Sequence, residues 1–199
     1  MNTDVTEENL IRTVNSRIQV LNKKKIPVIF LITGNNSTGK TTLAKLLLQK
    51  LDFVQTVNLG IVSKLMRFFR PNIQGEVLEN FDSPLARKLF VDIVDFIIDH
   101  YYEAGVNLLI DGVQIDTNHL KDNSKIVGGV ILRVDDEKLI ARLKHSKTRF
   151  NRRLAPVFLS QDFDYQKNKR FRFVDNNGDP ETLLETVLVS LDELLSKKK

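Results

Sequence analysis

Two rhythms of apolar and polar positions take turns along this chain. Residues 6–22 place Leu10, Ile11, Val14, Ile18 and Leu21 at helical spacing before Lys23 and Pro27, which predicts a leading helix buried along one stripe. Residues 28–33 are then continuously apolar up to Thr33, as a strand buried on both faces should be. The pattern next predicts a helix from Thr41 to Leu51, a strand from about Phe53 to Val57, and a helix near Ile61 to Phe69 that Pro71 stops. The longest helix runs from Ser83-Pro84 to Glu103, with Ser83 as its cap and Pro84 in its first turn. Leu85, Leu89, Ile93, Phe96, Ile97 and Tyr101 are expected to face inward, and Asp92, Asp95, Asp99 and Glu103 to form a solvated carboxylate stripe opposite them. Gly105 ends that helix, and a strand from Val106 to Ile110 leads into Asp111-Gly112. A strand near residues 127–134, a helix near 136–145, a strand near 172–174 and a last helix from Pro180 to Leu195 complete the pattern, with residues 175–179 as the turn opening the last helix. Strands alternating with helices require parallel neighbours joined by right-handed crossovers, so the class is α/β.

Between the first strand and the helix after it stands Gly34-Asn35-Asn36-Ser37-Thr38-Gly39-Lys40-Thr41, followed by Thr42. The spacing is that of the phosphate-binding loop G-x-x-x-x-G-K-[ST]. Glycines let the backbone curl so that successive N–H groups converge on phosphate oxygens, and the following helix presents its positive end to the same place. In that reading Lys40 neutralises the β- and γ-phosphates and Thr41 sits on Mg²⁺, so a nucleoside triphosphate, taken as ATP, and Mg²⁺ are the expected ligands.

Composition narrows the partners. The chain of 199 residues has no Pro/Gly/Ser-rich linker, and it is read as a single domain, 1–199, with a leading helix and loop over 1–26 and a basic, lid-like segment over about 142–170. Cysteine is absent, which excludes disulfides, thiolate metal sites and cysteine nucleophiles and suits a reducing cytosol. No apolar stretch approaches the ~20 residues of a membrane helix, and the polar start Met1-Asn2-Thr3-Asp4 lacks a signal-peptide pattern, so the expectation is a cytoplasmic protein with no membrane partner. The net charge of +5 is concentrated: residues 142–172 hold ten Lys/Arg against Asp162 and Asp164, a net +8, leaving −3 elsewhere. Such focusing attracts anionic ligands to one place. The triplets 23–25 and 197–199 are read as solvated loop and tail.

Asp111, some seventy residues past the loop at the end of an apolar strand, is placed to hold Mg²⁺ through water or to polarise an acceptor hydroxyl. Arg149, Arg152 and Arg153 share one face of a helix, and with Arg142 they are candidates to close over the transferring phosphoryl group. His100, His119 and His145 lack ligand spacing and are read as packing or surface residues.

Taken together, the loop, the Asp-Gly after the third strand, the arginine-rich segment after the fourth and the Asn-Gly turn after the fifth resemble the small-molecule P-loop kinases of the nucleoside-monophosphate-kinase-like class, from residue 27 to the end. Leu109-Ile110-Asp111-Gly112-Val113-Gln114, the run from His145 through Arg149-Phe150 to Arg152-Arg153, and Val174-Asp175-Asn176-Asn177-Gly178 are locally similar to 2-phosphoglycerate kinase. The resemblance implies a three-layer αβα P-loop fold with a five-stranded parallel sheet in the order 2-3-1-4-5, and it sets Asn176 beside the adenine. It also shows a departure. Gly60 and Ser63 stand where such kinases carry an aspartate base and an arginine anchor, leaving Arg67 and Arg70 as candidates to bind an anionic acceptor and Asp111 as candidate base. Three functions follow. The first is transfer of the ATP γ-phosphate to an alcohol group of a small anionic metabolite, 2-phosphoglycerate-like. The second is a nucleoside, nucleotide or polynucleotide 5′-hydroxyl kinase, with Phe163, Tyr165, Phe171 and Phe173 as stacking residues. The third is a non-catalytic nucleotide-binding regulatory module. Neither the acceptor nor the oligomeric state is legible in these residues.

Overall fold

The computed structural model describes residues 6–53, 55–62, 84–112, 119–145 and 169–198. In these, α1 (Glu7–Lys23), β1 (Ile29–Gly34), α2 (Lys40–Lys50), β2 (Gln55–Asn58), α3 (Pro84–Glu103), β3 (Leu108–Asp111), β4 (Ile126–Arg133), α4 (Asp136–Lys144), β5 (Phe171–Asp175) and α5 (Pro180–Ser196) follow one another, with a 3₁₀ turn at His119–Asp122 and a helical turn at 59–62. The five strands form one sheet in the order β2-β3-β1-β4-β5, every pairing parallel. This is the three-layer αβα P-loop fold expected from the sequence.

Side chains of a strand point alternately to its two faces, so a buried central strand must be apolar throughout. β1 meets that demand from Ile29 to Ile32. Phe30 and Ile32 pack on one face with Val14, Ile18, Leu43, Leu47, Val187 and Leu191 of α1, α2 and α5. Ile29 and Leu31 pack on the other with Phe90, Val94 and Ile98 of α3. Helix α1 starts on Thr6, whose side chain accepts from Asn9 N, and lies on α5, to which Arg17 is tied through Asp192. Helix α5 starts on Asp179, whose carboxylate accepts from Glu181 N and Thr182 N, with Pro180 at the first turn.

Two expectations are corrected. Of the inward face expected for α3, Ile97 and Tyr101 do pack against the core, but the buried positions are Phe90, Val94 and Ile98, and Phe96 is 69% exposed. The carboxylate stripe is not simply solvated: Asp95 pairs with His119, and Lys125 pairs with Asp99 and Glu103. The lysine tail is corrected as well, since Lys198 Nζ donates to the carbonyls of Ser124 and Ile126. The helix expected over residues 61–69 lies mostly outside the described residues, as do Ser83 and the side chain of Leu85.

Candidate active site

The carboxyl ends of β1, β2 and β3 converge on the start of α2, and the residues there follow from register. Ile32 pairs with Asp111 and Asn58 pairs with Asp111, so the ends of three adjacent strands lie level. Gly34 (φ 134°) turns the chain out of β1, Ser37 takes φ 63°, and Gly39 (φ 95°) caps α2 with no side chain on its first turn. No acidic residue occupies that turn. The helix therefore presents its free N–H groups and positive end to the loop's interior, an anion site by construction.

The loop is braced from inside and from outside. Lys40 is only 8% exposed, and its ammonium donates to the carbonyls of Gly34 at 2.9 Å and Asn35 at 2.5 Å. Burial pulls its pKa from 10.5 down to about 8, against an opposing pull from the Asp111 carboxylate. From outside, Asn176 Nδ2 donates to the Thr38 carbonyl at 2.8 Å. A Cβ on Gly39 would collide with that same Nδ2, so glycine is required there by neighbour as well as by φ. The 175–179 turn is fixed in place by α4: Arg142 donates to the Asn176 carbonyl at 3.0 Å, Lys138 to that of Asn177, and Asp135 N to Asn177 Oδ1.

At the mouth of the loop, Asp111 is 2% exposed, and its Oδ2 accepts from Thr41 Oγ1 at 2.8 Å and from Asn58 Nδ2 at 2.8 Å. A threonine hydroxyl and a carboxylate in contact form a hard-oxygen donor set of the kind that Mg²⁺ selects. Their chemistry fits that ion.

Of the residues singled out from sequence, Gly34, Asn35, Asn36, Ser37, Thr38, Gly39, Lys40, Thr41, Asp111 and Asn176 come together here, and Thr42 follows Thr41 on α2. Arg67, Arg70, Arg149, Arg152 and Arg153 lie outside the described residues. Arg142 holds the Asn176 turn, donating to its carbonyl. Within the basic segment, Arg170 donates to the carbonyls of Leu120, Asn123 and Ile126, and Arg172 pairs with Glu193. Phe171 is buried and Phe173 lies beneath the Arg133 guanidinium, 3.6 Å from the ring centre. Phe171 is thus committed to the fold and Phe173 stays 37% exposed with Arg133 over its ring, while Phe163 and Tyr165 lie outside the described residues. Asn58 was not foreseen; an asparagine ending a strand carries no motif, and only the register with Asp111 reveals it.

Residues 30–154 match the family model described as AAA domain. No curated protein matches the chain. Among solved structures, the chain is similar to a gluconokinase from Sinorhizobium meliloti 1021, with a TM-score of 0.62 at 12% identity over 86% of this chain and 95% of that one. It is similar to a sugar kinase from Janibacter, with a TM-score of 0.60 at 15% identity over 83% and 95%. A shikimate kinase from Bacteroides thetaiotaomicron gives a TM-score of 0.53 at 20% identity over 85% and 98%. At such identities the likeness is one of fold.

Proposed function

The chain belongs to the AAA domain family, and from that premise we propose that it is an ATP-dependent phosphotransferase acting on an alcohol group of a small anionic metabolite. The observation that carries the reading is the braced loop with a buried lysine, closed at its mouth by the Thr41–Asp111 contact. A triphosphate entering the loop draws the Lys40 ammonium off the Gly34 and Asn35 carbonyls and onto its β- and γ-oxygens, while the α2 N–H groups hold the remaining charge. Thr41 and Asp111 are the residues to hold Mg²⁺, which when bound offsets phosphate charge. The acceptor oxygen bonds to the γ-phosphorus as the bond to the β,γ-bridging oxygen breaks, ADP departs, and the hydroxyl proton passes to Asp111 or to water. Such transition states are loose, so positioning and charge count for more than proton removal, and the absence of the aspartate at Gly60 is tolerable. Arg149, Arg152 and Arg153 are assigned to the transferring phosphoryl group, and Arg67 and Arg70 to the acceptor's anionic group.

The test is transfer from γ-labelled ATP with Mg²⁺ into 2-phosphoglycerate, other sugar acids, gluconate, shikimate, nucleosides, nucleotides and 5′-hydroxyl oligonucleotides, beside Lys40→Ala. Label in a sugar acid, lost in the variant, supports the proposal; 2-phosphoglycerate as the labelled acceptor fixes its finer form. Label confined to nucleosides or oligonucleotides replaces the acceptor class. ATP binding without labelled product across the panel leaves a regulatory module as the better description.

A further inference from the structure

We infer that Asn58 is a positioning residue whose amide sets the Asp111 carboxylate against the Thr41 hydroxyl, and that position 60 is glycine in order to seat that amide. The inference rests on the reading of this corner as the cation-holding part of a nucleotide site. Asn58 is the last residue of β2 and lies opposite Asp111 in register. Its Nδ2 donates to Asp111 Oδ2, the same oxygen that takes the Thr41 hydroxyl, and lies 3.4 Å from Thr41 Oγ1 itself. One amide thus touches both members of the proposed cation pair.

The other end of the amide has its room because residue 60 carries no side chain. With Nδ2 turned to the carboxylate, Oδ1 lies on the side of Gly60, where a Cβ would stand 2.8 Å from it. That distance forces a shift of one partner or the other. Gly60 has no left-handed φ that would demand glycine, so the neighbouring amide is the reason for it. Turning the amide round would set its oxygen against the carboxylate and lose the donor, so the orientation follows from charge.

Charge also explains why the residue is an amide. A carboxylate at position 58 would put two like charges in contact, and Asp111 is almost sealed from water. An asparagine supplies a donor and no charge, so it holds Asp111 in place and leaves its negative charge undiminished for a cation. Losing a group that orients a metal-holding carboxylate in this way typically costs about 10–100-fold in cation affinity.

The experiment measures ATP affinity with Mg²⁺ and with EDTA in the wild type, Asn58→Ala, Gly60→Ala and the double variant. The ratio of the two affinities is the gain due to the cation. Asn58→Ala is expected to cut that ratio by roughly tenfold while metal-free affinity stays within about twofold, in line with the usual cost of losing an outer-shell partner. Gly60→Ala is expected to do the same by displacing the amide, and the double variant to lose no more than Asn58→Ala alone. An unchanged ratio, an equal fall in metal-free affinity, or additive losses would overturn the positioning role. A separate reading needs no nucleotide: the Asn58 side-chain amide protons of the apo protein, followed by NMR, are expected to move and to exchange faster with water in Asp111→Asn. If ATP fails to bind the wild type, the proposed function falls and this second reading alone decides the role of Asn58. Amide signals indifferent to Asp111→Asn would refute it.

Discussion

Lys40 makes the sharpest prediction, because its charge is held in two places of very different polarity. In the apo protein the ammonium is buried on two backbone carbonyls and its pKa stands at about 8. Bound phosphates surround the same nitrogen with negative charge, which favours the protonated form. Nucleotide binding must therefore take up a proton wherever the apo lysine is neutral. From a pKa of about 8, the expected uptake is about 0.1 proton at pH 7, about 0.5 at pH 8 and about 0.9 at pH 9. The lysine's contribution to ATP affinity should be flat below pH 7 and then fall toward about tenfold per pH unit above pH 8, until the lysine of the complex itself titrates. The phosphate ionisations of ATP lie below this range and add little to it.

The assay is isothermal titration of ATP in buffer pairs of unlike ionisation enthalpy at pH 7, 8 and 9, with Lys40→Met as reference. The slope of observed against buffer enthalpy is the proton count. A wild type that takes up no more than Lys40→Met at pH 9 refutes the reasoning, since Lys40 would then be charged throughout. Stability gives a second check. The lysine's pKa is lower folded than unfolded, so the native state binds fewer protons between about pH 8 and 10.5 and stability rises across that window. Below pH 8 the full cost stands, roughly 3 kcal/mol for a shift of this size. Lys40→Met is expected to be the more stable protein at pH 7 in urea denaturation, with the difference shrinking toward pH 10.5. The two carbonyls left without their donor return part of the gain.

Other consequences are simpler. Asn176→Ala strips the Thr38 carbonyl of its buried donor, and is expected to cost about 1–3 kcal/mol in denaturation and to weaken ATP binding by loosening the loop. Ile18→Ala opens a cavity beneath α1 and is expected to cost about 2–5 kcal/mol while ATP affinity stays unchanged; a parallel loss of affinity would show that the site depends on the α1 face. Asp179→Ala removes the cap of α5. Donors from Thr182 foremost hold the Asp179 carboxyl below its ordinary 3.8, so its stabilisation is complete above that value and is lost as pH falls through the lower folded one. The stability gap between wild type and Asp179→Ala should therefore close in strong acid, and a gap that persists there would rule out the carboxylate as its source.

The central strands were legible because burial on both faces leaves little freedom: residues 28–32 and 126–132 carry no polar side chain, and their run lengths mark strands. The loop was legible because backbone curvature and phosphate charge demand particular residues at particular spacings. Helix α3 shows the limit. It carries apolar side chains around much of its circumference, so the stripe through Leu89, Ile93 and Phe96 and the stripe through Phe90, Val94 and Ile98 fit the helical period alike. What selects the second is the far side of the helix, where Asp95 and Asp99 reach His119 and Lys125 on the connection between β3 and β4. Those partners stand more than twenty residues away, beyond the reach of any periodic argument.

Asn58 marks the same limit at the site, and for a shared reason so does the contact with the loop of Asn176, a residue that the resemblance sets beside the adenine. Phosphate chemistry dictates what the loop itself contains, but not what keeps its shape when no phosphate is present. Here that work falls to two asparagines, one ending β2 and one just past the end of β5, the first holding the Asp111 carboxylate and the second the Thr38 carbonyl. An amide serves both places because it brings a donor without bringing charge into a corner where Lys40 and Asp111 are already buried. A lysine at position 58 would set a second cation against the carboxylate, and an aspartate at position 176 would lose the donor that the Thr38 carbonyl takes. The glycines beside the two amides follow from them: Gly60 leaves room for one and Gly39 for the other. Residues that look like punctuation in the sequence are thus half of two contacts, and each becomes readable only when its partner is known.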